Sequence, residues 1–282
     1  MRVEGERAEK CEEGMALSGC KVPDQPRTTR LVGFTLIELL VVIAIISLLM
    51  ATLLPSLAFA KRHAKTVACR ANLRHWGVIL AAYTNDNEGR FFRGMVDGWW
   101  NDWIEILRPL YGQEEKIVCC PLATKTPDKG GTGVFAAWVD EEGDYGSYGL
   151  SAWVCNADPG AVFGDDHYWR KPDVKPADNI PVFLDSRAIT GWPDHSSLPP
   201  AYNGEPPSGI TLTEQLKNFC IDRHGGGITN CLFMDSSVRK VGLKELWTLK
   251  WHPSFNTAGP WTKAGGVKPE DWPAWMRKFK DH

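Results

Sequence analysis

Gly33-Phe34-Thr35-Leu36-Ile37-Glu38 opens a long apolar run, and the reading of that run decides the fold. From Phe34 to Ala60 the only ionisable side chain is Glu38. A carboxylate deep in hydrocarbon costs roughly 2.5–3.5 kcal/mol or more, so an acid there marks a function by default. Phe34 to Leu54 is long enough to span a membrane, since about 20 helical residues cross a bilayer core. A cleavable secretory signal has an apolar stretch of roughly 7–15 residues followed by a small-residue cut site. Here the run is longer, and its small residue, Gly33, stands in front. A plain anchor has no use for Glu38. Just upstream lies the basic polar flank Arg27-Thr28-Thr29-Arg30.

A small residue, then Phe, then an acid four residues further on resembles the processing site of type IV prepilins and of the pseudopilins of type II secretion. The resemblance implies a prepilin peptidase that cuts after Gly33 and N-methylates Phe34. It also implies an assembly role for Glu38, which meets the N-terminal amine of a neighbouring subunit. Two unpaired charges in a low dielectric each carry a desolvation penalty, and docking pairs them. The fold implied is α+β, a long N-terminal α-helix with a membrane half and an amphipathic half, packed on a loop-rich antiparallel β head. The expected organisation is a leader at 1–33, a transmembrane and assembly helix at 34–60, an amphipathic continuation at 61–86 and a periplasmic head at 87–282. The implied partners are the peptidase, like pseudopilin subunits, the inner-membrane secretion platform and the membrane itself. No cofactor and no enzymatic activity are implied.

With 282 residues and a net charge of -2, the chain carries no basic excess, and no basic patch with interleaved aromatics points to nucleic acid. Beyond the leader and the membrane run, enough chain remains for one sizeable domain. Nineteen prolines and 27 glycines, mostly after residue 85, predict a loop-rich head. The leader contains Cys11 and Cys20 and reads as disposable. Met15 is an alternative start, which drops Glu4, Glu6, Glu9, Glu12 and Glu13 and leaves a short net-positive leader. Positive charges flank the span on both sides: Arg27 and Arg30 before it, Lys61, Arg62, Lys65, Arg70 and Arg74 after it. The positive-inside rule alone does not orient such a helix. The processing motif does, with the N-terminus cytoplasmic before cleavage and the head periplasmic or in a surface fibre.

Pro55 removes a helix hydrogen bond and predicts a kink. Beyond it, Ala64, Val67, Ala71, Leu73, Trp76, Leu80 and Tyr83 recur at steps of three and four, one face of an amphipathic helix. The helix is expected to end near Tyr83, where Asn85-Asp86-Asn87-Glu88-Gly89 supplies turn formers. Its length is then about 50 residues, or roughly 75 Å. The phrases Cys69 to Gly77 and Tyr83 to Gly89 also look like pseudopilin-like proteins of large bacterial paralogue sets. In the head, Trp103 to Leu110 reads as a short helix. Lys116 to Cys120, Tyr145 to Val154 and Ile180 to Asp185 read as strands, and Thr211 to Lys217 is ambiguous. Asn218 to Val241 reads as a three-stranded antiparallel meander.

Inside that meander, His224-Gly225-Gly226-Gly227 and Asp235 resemble the C-terminal motif of prepilin-type proteins, a His, nine residues and Asp-Gly. Here ten residues intervene, and Ser236 replaces the glycine. A bulge around Thr229-Asn230 is the expected place for the extra residue. A non-glycine at a positive-φ turn costs about 1 kcal/mol or more, so Ser236 argues against that turn conformation. The glycines are expected to make the tight turn, with His224 and Asp235 bonding loop backbone near the hairpin ends. His-Gly-Gly-Gly also resembles an esterase oxyanion loop, which requires a nucleophile in Gly-x-Ser-x-Gly. Tyr145-Gly146-Ser147-Tyr148-Gly149 misses that pattern by one position.

Six cysteines follow the leader: Cys69, Cys119, Cys120, Cys155, Cys220 and Cys231. An oxidising compartment permits disulfides. Fifteen pairings are possible, with Cys220–Cys231 and Cys120–Cys155 the geometric suggestions. The neighbours Cys119-Cys120 lack the C-x₂-C spacing of zinc sites, and no metal site is expected. Asp158, Asp165 and Asp166 crowd one loop and offer oxygens of the kind Ca²⁺ takes, although charged loops are ordinarily just solvated. Trp99, Trp100 and Trp103, or Trp247, Trp251 and Trp261, form either a glycan-stacking platform or, as expected for large aromatics, core. Two functions stand against each other. One is a pseudopilin or minor pilin. The other is a single-pass anchored binding protein for glycan or protein that uses a prepilin-like leader for export.

Overall fold

The computed structural model describes residues 34–96, 99–100, 103–112, 115–161 and 163–282, so the leader with Gly33 lies outside it. The described residues separate into two units, divided between Thr52 and Leu53.

In the first unit, helix α1 (Leu36–Asp86) starts behind Thr35, and Phe34 through Thr52 are exposed throughout. α1 is the one helix among the described residues long and apolar enough to cross a membrane. Glu38 is the acid in its first turn.

In the second unit, α1 continues through Pro55 to Asp86. The Ser56 hydroxyl donates back to the Leu53 carbonyl at 2.8 Å, which satisfies its polarity inside the helix. Thr66, Cys69, Leu73, Trp76, Leu80 and Thr84 are buried at steps of three and four, so Leu73, Trp76 and Leu80 of the expected face are covered, while Ala64, Val67 and Ala71 are exposed and Tyr83 is half-buried. Gly89, at φ 72°, ends the run by donating its amide to the Thr84 carbonyl at 2.8 Å.

Two small hairpins follow, β1 (Met95–Val96) with β2 (Trp99–Trp100), and β3 (Trp138–Val139) with β4 (Tyr145–Gly146). Helix α2 (Trp103–Tyr111) lies between them in sequence and buries Trp103, Ile104, Leu107 and Tyr111. The main sheet holds β5 (Tyr148–Ser151), β6 (Pro181–Asp185), β7 (Thr190–Gly191), β8 (Ile228–Phe233) and β9 (Val238–Gly242), in the order β7-β5-β6-β8-β9. All its pairs are antiparallel except β5 with β7, so the sheet is mixed where an antiparallel head was expected. β6 is central and buried at every position, which is why Pro-Val-Phe-Leu-Asp does not alternate.

Three sequence expectations change. Lys116 to Cys120 is a 3₁₀ turn and loop rather than a strand, because side chains of α1 take its carbonyls. Asn72 Nδ2 donates to the Lys116 and Cys119 carbonyls, and Trp76 Nε1 donates to that of Ile117 at 2.9 Å. Phe219 to Asp222 is likewise no strand. It follows the 3₁₀ helix Leu212–Asn218, and the Cys220 amide bonds back to Leu216. The meander is therefore a β8–β9 hairpin with β6 on its other side. Its register is regular, and the irregularity falls on β6 between Pro181 and Phe183, not at Thr229-Asn230.

The core is aromatic. Trp76 meets Trp103 edge-on at 5.0 Å, Tyr111 at 5.2 Å and Phe183 at 5.3 Å. Trp153, Trp247, Trp251 and Trp272 are each buried. Gly77 lets the helix approach β8, since a Cβ there would stand 3.1 Å from Leu232 Cδ1.

Candidate functional site

At the N-terminus Thr35 and Glu38 form a reciprocal cap. The Glu38 carboxylate accepts from the Thr35 amide at 2.9 Å and from its hydroxyl at 2.7 Å, while the Glu38 amide donates to Thr35 Oγ1 at 3.2 Å. This is the capping-box arrangement, in which a Thr and a Glu three residues later each satisfy a free amide of the first turn. The sequence reading gives Glu38 an assembly role and no part in capping the helix. The Thr-x-x-Glu spacing was the signal for this second role. Gly33, the expected cut site, lies outside the described residues, and Phe34 is exposed.

The C-terminal motif divides. Asp235 Oδ1 accepts from the Ser237 amide at 2.9 Å across the β8–β9 turn. Ser236 holds φ 66° there, so the turn keeps the left-handed conformation despite the lost glycine. Gly225, Gly226 and Gly227 all have positive φ, between 71° and 80°. Gly227 has a second constraint, since a Cβ would meet the Phe279 ring at 2.3 Å. His224 departs from expectation. It does not bond loop backbone but turns inward, where its Nδ1 meets Thr66 Oγ1 at 3.0 Å and its Nε2 meets Asp185 Oδ2 at 2.9 Å.

Around His224 four segments converge. α1 supplies Cys69, the loop before β3 supplies Cys120, the last residue of β6 is Asp185, and the loop entering β8 supplies Arg223 and His224. Cys69, Cys120, Asp185 and His224 are all buried, and their ligand-type atoms lie within 4.8 Å of one another. Cys120 Sγ is 3.6 Å from His224 Nε2, and Cys69 Sγ is 3.7 Å from either Asp185 oxygen. Asn230 adds its amide to Asp185 Oδ2 at 3.2 Å and its side-chain nitrogen to Cys69 Sγ at 3.2 Å. Arg223 donates to Asp185 Oδ1 at 3.0 Å and to the carbonyls of Val134, Ser147 and Ser186. A buried guanidinium is tolerated only when paired and bonded in this way.

Burial works against charge at Asp185, yet His224 and Arg223 hold its carboxyl well below the usual range. Burial likewise opposes the His224 cation, and the Asp185 carboxylate overcomes it, raising the imidazole to about 9. Desolvation lifts Cys69 far up, aided by Cys120 and by the Asp185 charge. For Cys120 desolvation is outweighed by hydrogen bonds from Cys69 and His224 and by the Arg223 charge, which bring the thiol down to about 7. A thiol, an imidazole and a carboxylate in contact resemble a nucleophile set. All three are buried.

The other sequence candidates lie elsewhere. All six described cysteines are free thiols, and neither Cys220–Cys231 nor Cys120–Cys155 is bonded. Asp158 pairs with Arg93, Asp165 with Arg170, and Asp166 with His167 and the Ser254 hydroxyl, so the three acids serve separate contacts. Trp103, Trp247 and Trp251 are core, not platform. Ser147, of the near-miss nucleophile pattern, is buried and accepts from the Cys120 amide at 2.6 Å. A second donor group, Asp194, His195 and His252, gathers closer to the surface. Asp185 was read only as the end of a strand. The available signal was an acid closing an otherwise apolar run.

Residues 33–54 match the family described as the prokaryotic N-terminal methylation motif. The match, with the long apolar helix and the α+β head, supports a type IV prepilin-like protein. That motif carries with it processing by a prepilin peptidase and association with a membrane. No curated protein and no solved structure matches the chain.

Proposed function

We propose that the chain is a pseudopilin or minor pilin subunit that is trimmed by prepilin peptidase and assembles into a type II secretion or type IV pilus-like fibre. It is a structural protein and not an enzyme. The carrying observation is the methylation-motif match at 33–54, with Glu38 as the lone ionisable side chain of the exposed apolar stretch from Phe34 to Ala60. The peptidase cuts between Gly33 and Phe34, and Phe34 receives the methyl group. The Phe34 amine of one subunit and Glu38 of the next then remove each other's desolvation penalty. The apolar face that would be lipid-exposed in the membrane becomes the packing surface between subunits. The head lies on the periplasmic side of the bacterial inner membrane or on the fibre. Partners are like subunits, the peptidase, and the inner-membrane platform.

Mass spectrometry of protein isolated from cells tests this. The expected product begins with N-methylated Phe34. A chain that keeps residues 27–33 and stays monomeric overturns it.

A further inference from the structure

We propose that Cys69, Cys120, Asp185 and His224 form a four-coordinate site for a thiolate-binding divalent ion, Zn²⁺, which ties α1 to the sheet of the head. The inference is independent of the fibre reading.

The first ground is distance. Tetrahedral zinc has bonds of about 2.3 Å to sulfur and about 2.0–2.2 Å to nitrogen and oxygen, which sets its ligand atoms roughly 3.4–3.8 Å apart. The 3.6 Å edge from Cys120 to His224 and the 3.7 Å edge from Cys69 to Asp185 have that length. The 2.9 Å edge from His224 to Asp185 is shorter, as a direct hydrogen bond must be. It opens by roughly 0.5 Å when both atoms turn to a shared ion.

The second ground is the supporting shell. The Thr66 hydroxyl donates to the Arg62 carbonyl at 3.0 Å, so toward His224 its oxygen is an acceptor. Nδ1 therefore carries a proton, and Nε2, which donates to Asp185 Oδ2 and lies 3.0 Å from Asn230 Nδ2, faces the cluster and is the nitrogen that would give up its proton to an ion. A metal-bound histidine is held in this way by a partner on its other nitrogen. Asp185 is braced on its Oδ1 by Arg223, which leaves Oδ2 toward His224. The Asn230 side-chain amide donates to Cys69 sulfur, as it would to a thiolate. The Cys120 backbone is fixed by Ser147.

The third ground is charge. Two thiolates and a carboxylate are balanced by a divalent ion together with Arg223, and an uncompensated charge in this interior would be expensive. Two sulfurs, one imidazole and one carboxylate suit zinc, whereas Ca²⁺ and Mg²⁺ take oxygen. The four side chains come from segments far apart in sequence, which is why no C-x₂-C spacing announced the site.

The test uses the full chain extracted in detergent without chelator. Elemental mass spectrometry should find about one zinc per chain. Exchange with Co²⁺ should give a thiolate-to-cobalt charge-transfer band and the visible bands of a tetrahedral ion. Cys69→Ser and Cys120→Ser should each lose the band, while Cys155→Ser and Cys220→Ser keep it. Thr66→Val retains all four ligands and should weaken zinc retention about 10–100-fold. Since the cysteine variants could misfold, the unaltered chain is decisive. Stripping its zinc with a chelator should make two further thiols reactive and lower the melting temperature. A Cys69–Cys120 disulfide in the isolated chain, seen as one cross-linked peptide pair lacking two hydrogens, overturns the proposal. So does a fully reduced chain that takes up neither Zn²⁺ nor Co²⁺.

Discussion

Thr35 and Glu38 each satisfy the other's backbone amide, with Thr35 Oγ1 only 2.7 Å from Glu38 Oε2. The acid at the mouth of the apolar helix therefore has two roles to separate, a helix cap and a charge. Glutamine serves at the third helical position of a capping box as glutamate does. Glu38→Gln should keep the cap and lose the charge. On the proposed function it inserts and is processed normally but enters fibres poorly, as Glu38→Val also does. Crosslinking ladders between subunits measure this. Normal ladders from Glu38→Gln would assign Glu38 to capping alone.

Asp185 accepts from buried Arg223 and His224 at once and balances the guanidinium charge. Removing one partner of a buried ion pair strands the remaining charge and costs about 3–5 kcal/mol. Asp185→Asn should therefore lower the stability of the head by about that amount in chemical denaturation followed by tryptophan fluorescence. A loss below about 1 kcal/mol, the scale of surface pairs, would contradict the geometry.

Ser236 occupies a left-handed turn position at φ 66° while exposed to solvent. Glycine adopts that conformation without the Cβ penalty but gains entropy when unfolded. The left-handed penalty of about 1–2 kcal/mol exceeds the entropy offset of about 0.4–1 kcal/mol, so Ser236→Gly should stabilise the head by about 0.5 kcal/mol. In a domain of this size that raises the melting temperature by about 1–2 °C. An unchanged or lower melting temperature would contradict the strain.

Glu214 accepts from the Ser208 hydroxyl and amide and from Lys217, which lowers its carboxyl from 4.5 to about 2. A depressed carboxylate contributes stability that is present above its unfolded value and lost as pH falls through the folded one. The contribution should vanish between about pH 4.5 and 2. Thermal melts across that window should fall less steeply for Glu214→Gln than for the unaltered chain. Parallel slopes would refute the assignment.

Much of this architecture was legible in sequence because it rests on periodicity. The helical steps through Leu73, Trp76 and Leu80, the apolar Pro181–Asp185 strand and the hairpin from Ile228 are buried as their pattern says, whereas Ala64, Val67 and Ala71 are exposed and the polar Thr66 and Thr84 join the covered stripe. The failures share one cause. At Lys116 to Cys120 and at Phe219 to Asp222 the residues are strand-like, but their backbone groups bond to helix side chains or to a preceding 3₁₀ turn. Local propensity does not reveal a distant asparagine. The buried cluster was hidden for the same reason. Cys69 and Asp185 are remote in sequence and meet where α1 packs on the sheet, with Gly77 passing close to Leu232 of β8. The motif histidine was noticed, but its direction depends on three consecutive glycines and on Thr66.

The covered stripe of α1 has a consequence for how the chain is born. Leu73, Trp76 and Leu80 are made early, yet Phe183 and Leu232, which lie against this stripe, are made late. A ribosome working from the N-terminus therefore releases a sticky, unsheltered strip long before its lid exists. Incomplete chains with such surface aggregate readily. A nascent head of this design calls for a holding chaperone, and a truncated copy ending before β8 becomes prey for proteases.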